Sequence, residues 1–129
     1  MTSAGKKIFV VDDEPTVIEY LRALLTAWGF SFAWCEDGGS APALIEAELP
    51  DLVLLDVMLP DVDGVTVCRR LRSNPKTARI PVIMLTSLGD SGTVYESLLQ
   101  GAEGFVTKPV DVELLKGKIE KVLKNSARP

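Results

Sequence analysis

Four short apolar runs punctuate the chain, none interrupted by a polar residue: Ile8-Phe9-Val10-Val11, Phe32-Ala33-Trp34-Cys35, Leu52-Val53-Leu54-Leu55 and Val82-Ile83-Met84-Leu85, with a shorter Phe105-Val106 after them. A strand with one wet face alternates apolar and polar residues. An unbroken run of roughly 4–8 suits a strand covered on both faces, as parallel strands are. Such strands need a helix between each pair, and the intervening segments read that way. Val17, Leu21, Leu24, Leu25 and Trp28 recur at helical spacing, and Gly29 follows as a stop. Pro42 cannot sit deep inside a helix, so a second helix should start around Ser40 to Pro42 and end before Leu49-Pro50. A third runs from about Gly64 to Arg72, and a fourth from about Ser91 to Gln100 before Gly101. In the last, Leu115, Ile119, Val122 and Leu123 form the apolar stripe. Lys116, Lys118, Lys121 and Lys124 should face solvent, the later ones near the negative end of the helix dipole. Successive βα units predict one doubly wound α/β sandwich: a five-stranded parallel sheet with five helices, in three layers.

At 129 residues the chain matches one domain, and it shows no internal repeat or low-complexity tract. Residues 1–5 read as a disordered tail, 6–124 as the domain and 125–129 as a tail or truncated linker. Met1 to Lys7 lacks the apolar core of a signal peptide, and no apolar run approaches the roughly 20 residues of a membrane span. Cys35 and Cys68 are isolated and set among apolar residues, which suits a reducing compartment and two small buried side chains. A soluble, cytoplasmic protein is expected. The net charge of −4 gives no electrostatic grip on nucleic acid or anionic lipid. The absence of histidine excludes His-dependent triads, Cys/His zinc sites and imidazole acid–base work within this chain.

In an open parallel sheet, function gathers outside the carboxyl ends of the strands. There the first strand ends in Asp12-Asp13-Glu14, the third in Asp56 and the fourth in Thr86-Ser87, while Lys108-Pro109 follows the fifth. Carboxylates crowded at one rim repel one another unless positive charge sits among them. An oxygen-only donor set suits a hard cation, Mg²⁺ best of all, and Lys108 supplies a second cation. A phosphoryl group on one carboxylate would offer oxygens for the metal, Lys108 and the Thr86 hydroxyl. Asp37, Asp51 and Asp61 read as helix caps or solvated turns.

Val10-Val11-Asp12-Asp13-Glu14, the stretch from Leu54 through Asp56-Val57-Met58-Leu59-Pro60 to Gly64, Pro81 to Ser87, and Gly101 to Pro109 closely resemble the receiver domain of bacterial two-component response regulators, of the chemotaxis-regulator type. The likeness runs from about Lys6 to Leu123, with the motifs in the family's order and spacing. It implies a flavodoxin-like sandwich. It also implies a switch that catalyses its own phosphorylation and dephosphorylation but is not an enzyme toward free substrate. Asp56 would accept a phosphoryl group from a phosphohistidine on a sensor histidine kinase or histidine phosphotransfer protein. Asp13 would bind Mg²⁺ directly, Asp12 largely through water, and the Met58 backbone carbonyl would be a further ligand. Lys108 would pair with Asp56 and then with the phosphoryl oxygens, Thr86 would swing toward that group, and Phe105 would rotate inward behind it. Lys108-Pro109 would be cis. The output would be a downstream effector or fused output domain, with no direct nucleic acid or membrane contact, as a monomer or a phosphorylation-dependent dimer.

Departures from the pattern are Phe105 for the commoner Tyr, Ser87 for Ala, and Glu103-Gly104 for an acidic pair used in one family dimer. The apolar neighbours Met58 and Leu88 should hinder an attacking water, and the surface around Pro15, Ile18, Arg22 and Pro109-Val110 should dock the donor. A haloacid-dehalogenase-type hydrolase would want a second Asp where Met58 stands. A flavodoxin would want a phosphate loop where Asp12-Asp13-Glu14 stands. The competing class is a degenerate receiver that docks proteins independently of phosphorylation; the complete acidic set, Thr86 and Lys108 argue against it.

Overall fold

Every apolar run becomes a strand, and all five strands pair in parallel. β1 (Lys7–Val11), β2 (Ser31–Cys35), β3 (Leu52–Asp56), β4 (Val82–Ser87) and β5 (Gly104–Lys108) stand in the order β2-β1-β3-β4-β5. Val11 lies beside both Cys35 and Leu55, and Leu55 beside Met84. The computed structural model describes residues 5–87, 92, 96, 98 and 100–126. Among these, four helices are delineated: α1 (Pro15–Ala27), α2 (Ala41–Glu48), α3 (Gly64–Ser73) and α4 (Val112–Ser126). The helix expected over Ser91 to Gln100 falls largely outside the described residues, with Gly92, Glu96 and Leu98 helical inside them. Leu88 and most of both expected tails lie outside them as well.

Period-two alternation within each unbroken run splits it between two cores. Ile8, Val10, Leu52, Leu54, Ile83 and Leu85 meet α1 and α4 through Ile18, Leu21, Leu25, Leu115 and Ile119. Phe9, Val11, Val53, Leu55, Val82 and Met84 meet α2 and α3 through Ala41, Ile45, Val67, Cys68 and Leu71. Helices on both faces make the sheet doubly wound, as the unbroken runs predict.

The helix boundaries follow local chemistry. Pro15 and Pro42 occupy the first turns of α1 and α2, where a missing N–H costs nothing. Gly29 takes a positive φ of 94° behind α1. Asp63 caps α3 by accepting from the Thr66 amide at 2.8 Å. Both cysteines are free and buried, and burial pushes the Cys35 thiol up to about 11.

Three expectations need correction. The run at Phe32–Cys35 is not covered on both faces: β2 is an edge strand in which only Cys35 is buried and Trp34 is 41% exposed. Its apolar content records strand propensity, whereas its edge position sets its exposure. Ile18 is not part of a docking surface; it is 2% exposed in the α1 core. Lys116 and Lys118 are half-buried, their ammonium groups over the rings of Trp28 (5.8 Å) and Phe105 (5.9 Å). No helix among the described residues is long and apolar enough to cross a membrane.

Candidate functional site

From β1 the chain turns to β2 on one side and then crosses to β3 on the other. The connections leaving β1 and β3 therefore diverge to opposite faces of the sheet and leave a crevice at the strand ends. The acidic residues line it. Asp12 follows β1 directly and is fully buried. Its Oδ1 accepts the Glu14 amide at 3.0 Å, a side-chain turn that sets the chain up for Pro15 and α1. Asp56 closes β3, with Oδ1 accepting the Met58 amide at 3.0 Å.

Lys108 closes β5, two strands away from β3, and its long stem reaches back across the end of β4. Its Nζ lies 2.8 Å from Asp12 Oδ2, 3.1 Å from Glu14 Oε1 and 3.2 Å from Asp56 Oδ2. The Lys108–Pro109 peptide is cis, as the resemblance implies. Among the described residues, no donor is aligned as a hydrogen bond on the buried Asp12 Oδ2, although the ammonium lies against it.

Four carboxylates, from Asp12, Asp13, Glu14 and Asp56, offer oxygens that all lie within 4.8 Å of one another. Burial, and then the neighbouring charge of Asp12, push the Asp56 carboxyl up to about 6, against the opposing pull of the Met58 amide and Lys108. Burial alone would lower the pKa of Lys108. Asp12 foremost, with Asp56 and Glu14, outweighs it, so the net shift is upward and the ammonium stays charged. One ammonium cannot neutralise four carboxylates. The cluster can hold a metal ion, since the donors are all oxygen and a buried carboxylate oxygen lacks an aligned donor.

The strand ends thus bring Asp12, Asp13, Asp56 and Lys108 together. Thr86 is buried at the end of β4, and its hydroxyl donates to the Ser87 carbonyl at 3.4 Å. Met58 is 64% exposed, and its backbone amide is what donates to Asp56. The Phe105 ring is 37% exposed. Glu14, to which the sequence pattern assigns no individual role, is a direct partner of Lys108. Its place two residues beyond Asp12, in the turn that Asp12 itself organises, is the signal that could have found it. Asp51 takes the Lys7 amide at 2.7 Å, far from the site at the opposite end of the strands, and Asp37 holds the Ser40 amide and hydroxyl.

Residues 8–120 match the family model of the response regulator receiver domain. The chain is 42% identical over 113 residues to the response regulator PleD of Caulobacter vibrioides, covering 88% of this chain and 25% of that protein. It is 38% identical over 122 residues to the DNA-binding dual master transcriptional regulator RpaA of Synechocystis, covering 95% and 51%. It therefore spans between a quarter and about half of the curated relatives it matches. The signal receiver domain of a signal transduction histidine kinase from Syntrophus aciditrophicus superposes with a TM-score of 0.88 at 34% identity, over 97% of this chain and 95% of that one.

Proposed function

Because this chain belongs to the response regulator receiver domain family, we propose that it is a phosphorylatable switch in which Asp56 takes a phosphoryl group from a partner's phosphohistidine. The observation that carries this reading is the placement of Asp56: a buried carboxylate at a strand end, held by Lys108 and ringed by three further carboxylates. An oxygen of Asp56 attacks phosphorus, and the new O–P bond replaces the P–N bond to the donor imidazole, whose nitrogen keeps the electron pair. The donor must come from elsewhere, because the chain has no histidine. Asp12, Asp13, Asp56 and the Met58 carbonyl would hold Mg²⁺, which when bound supplies positive charge at the transferring oxygens. Lys108 turns from the Asp56 carboxylate to the phosphoryl oxygens, a charge-assisted contact already within reach.

The Thr86 hydroxyl, which among the described residues makes a long 3.4 Å contact with the Ser87 carbonyl, swings toward the phosphoryl group, and Phe105, on the adjoining strand, turns inward behind it. Residues 6–124 form the receiver. The switched surface acts in the cytoplasm on a downstream effector or a fused output domain, consistent with the greater length of the relatives. Glu103 supports a monomer in the resting state: its Oε1 is committed internally, to Arg72 at 3.0 Å and the Val82 amide at 2.7 Å.

Acetyl phosphate with Mg²⁺ tests the reading. Intact-mass measurement should show one added phosphoryl group, lost with chelator and in Asp56→Asn. A gain that survives in Asp56→Asn refutes it, and no gain in wild type favours the phosphorylation-independent docking module.

A further inference from the structure

The loop between β3 and α3, residues 57–63, carries the Met58 backbone that faces Asp56. Its base is held by close backbone approach. The Gly64 amide donates to the Val57 carbonyl at 2.8 Å, and a Cβ on Gly64 would sit 2.3 Å from the Asp56 carbonyl. Inside the loop, Leu59 and Val62 lie half-buried against the α2–α3 core. At its tip, the Asp61 carboxylate reaches to the loop before α2 and takes both amides there, Gly38 N at 2.9 Å on Oδ1 and Gly39 N at 2.8 Å on Oδ2. The two glycines are shaped to this approach. A Cβ on Gly38 would lie 2.6 Å from the Val62 carbonyl, and one on Gly39 would lie 2.9 Å from Asp61 Oδ2. These amides hold the Asp61 carboxyl below the usual carboxylate range, so the latch is ionised at neutral pH.

We propose that Asp61 is a positioning residue: its carboxylate, latched onto the amides of Gly38 and Gly39, holds the 57–63 loop so that the Met58 backbone meets Asp56. The inference rests on the reading of Asp56 as the reacting carboxylate and extends it to a residue that touches neither phosphoryl group nor metal. The physical reason is reach. Met58 offers its backbone, which a loop can misplace, and apolar packing of Leu59 and Val62 fixes depth better than direction. Two charge-assisted bonds from one planar carboxylate fix direction. Supporting groups of this kind typically change metal affinity or activity by roughly 10–100-fold when removed.

Two variants test it from opposite sides. Asp61→Ala removes the carboxylate, and Gly39→Ala keeps it but drives a methyl against Oδ2. In metal-free protein, amide hydrogen exchange at Met58 should accelerate in both. With Mg²⁺ and acetyl phosphate, the Mg²⁺ needed for half-maximal phosphorylation should rise roughly tenfold, while the rate at saturating Mg²⁺ returns toward wild type. Wild-type Met58 exchange and Mg²⁺ requirement in both variants, with only the melting temperature lowered, overturn the proposal. So does an effect confined to Asp61→Ala, which would assign it to lost charge rather than to the latch. If wild type takes no phosphoryl group while Met58 exchange still accelerates in both variants, the phosphorylation reading fails and the latch stands.

Discussion

Replacing Asp56 by asparagine should make the metal-free protein more stable at neutral pH. The folded structure holds the Asp56 carboxyl at about 6 against an ordinary 3.8. A gap of roughly two pKa units corresponds to about 3 kcal/mol that the fold pays to keep this group ionised. The sign follows from proton binding. Between about pH 4 and pH 6 the folded state binds more protons at this position than the unfolded chain does, so stability falls as pH rises through that window. Above it the full cost is present; below it both states are protonated and the cost is gone. Asparagine keeps an acceptor for the Met58 amide, and the lost attraction to Lys108 is already contained in the net shift, so the gain should be about 3 kcal/mol. For a chain of this size that is about 9 °C in melting temperature. The assay is thermal unfolding of both proteins in chelator from about pH 8 to about pH 4, repeated at neutral pH with Mg²⁺. The asparagine variant should melt higher at the alkaline end, the curves should converge in acid, and Mg²⁺ should raise wild type more than the variant. A variant no more stable than wild type at about pH 8, or a difference that persists unchanged in acid, would refute the electrostatic account of the site.

Three further outcomes follow from the geometry. Lys108→Met removes the one ammonium that contacts Asp12, Glu14 and Asp56; single-turnover phosphorylation by acetyl phosphate should slow by about 100-fold while the far-ultraviolet circular dichroism stays native. Ile18→Ala leaves a hole in the core between α1 and the sheet and should cost about 2–5 kcal/mol in urea unfolding; a loss within experimental error would mean that Ile18 is not buried in solution. Gly64→Ala forces a methyl to within 2.3 Å of the Asp56 carbonyl, and the backbone there must move; unfolding should show a loss of roughly 1–3 kcal/mol, with slower phosphorylation alongside it.

Much of the fold could be read along the chain because its signals are local. Unbroken β-rich runs marked buried strands, 3.6-residue stripes marked helices, and Pro15, Pro42 and Gly29 set boundaries through their own backbone chemistry. Most of the site was legible too, because a parallel sheet must carry its strand ends to one rim. What was misread depended on neighbours distant in sequence. Phe32–Cys35 looks like any central strand until its place at the sheet edge is known. Ile18 lies between Pro15 and Arg22 on α1, and only packing against the sheet shows it to be core.

The sequence alone determined the donors: which carboxylates, which ammonium, in what order along the strands, and that no imidazole could come from this chain. Tertiary structure decided how those donors meet. Lys108 reaches Asp12 and Glu14 as well as Asp56 although β3 and β4 stand between β5 and β1, because its stem extends back across the strand ends, a meeting that no spacing encodes. Asp61 reads as an ordinary turn residue until Gly38 and Gly39 are seen to close on it. Composition and periodicity report what a segment prefers, whereas a pKa or a latch depends on the few ångströms between segments that the chain holds far apart.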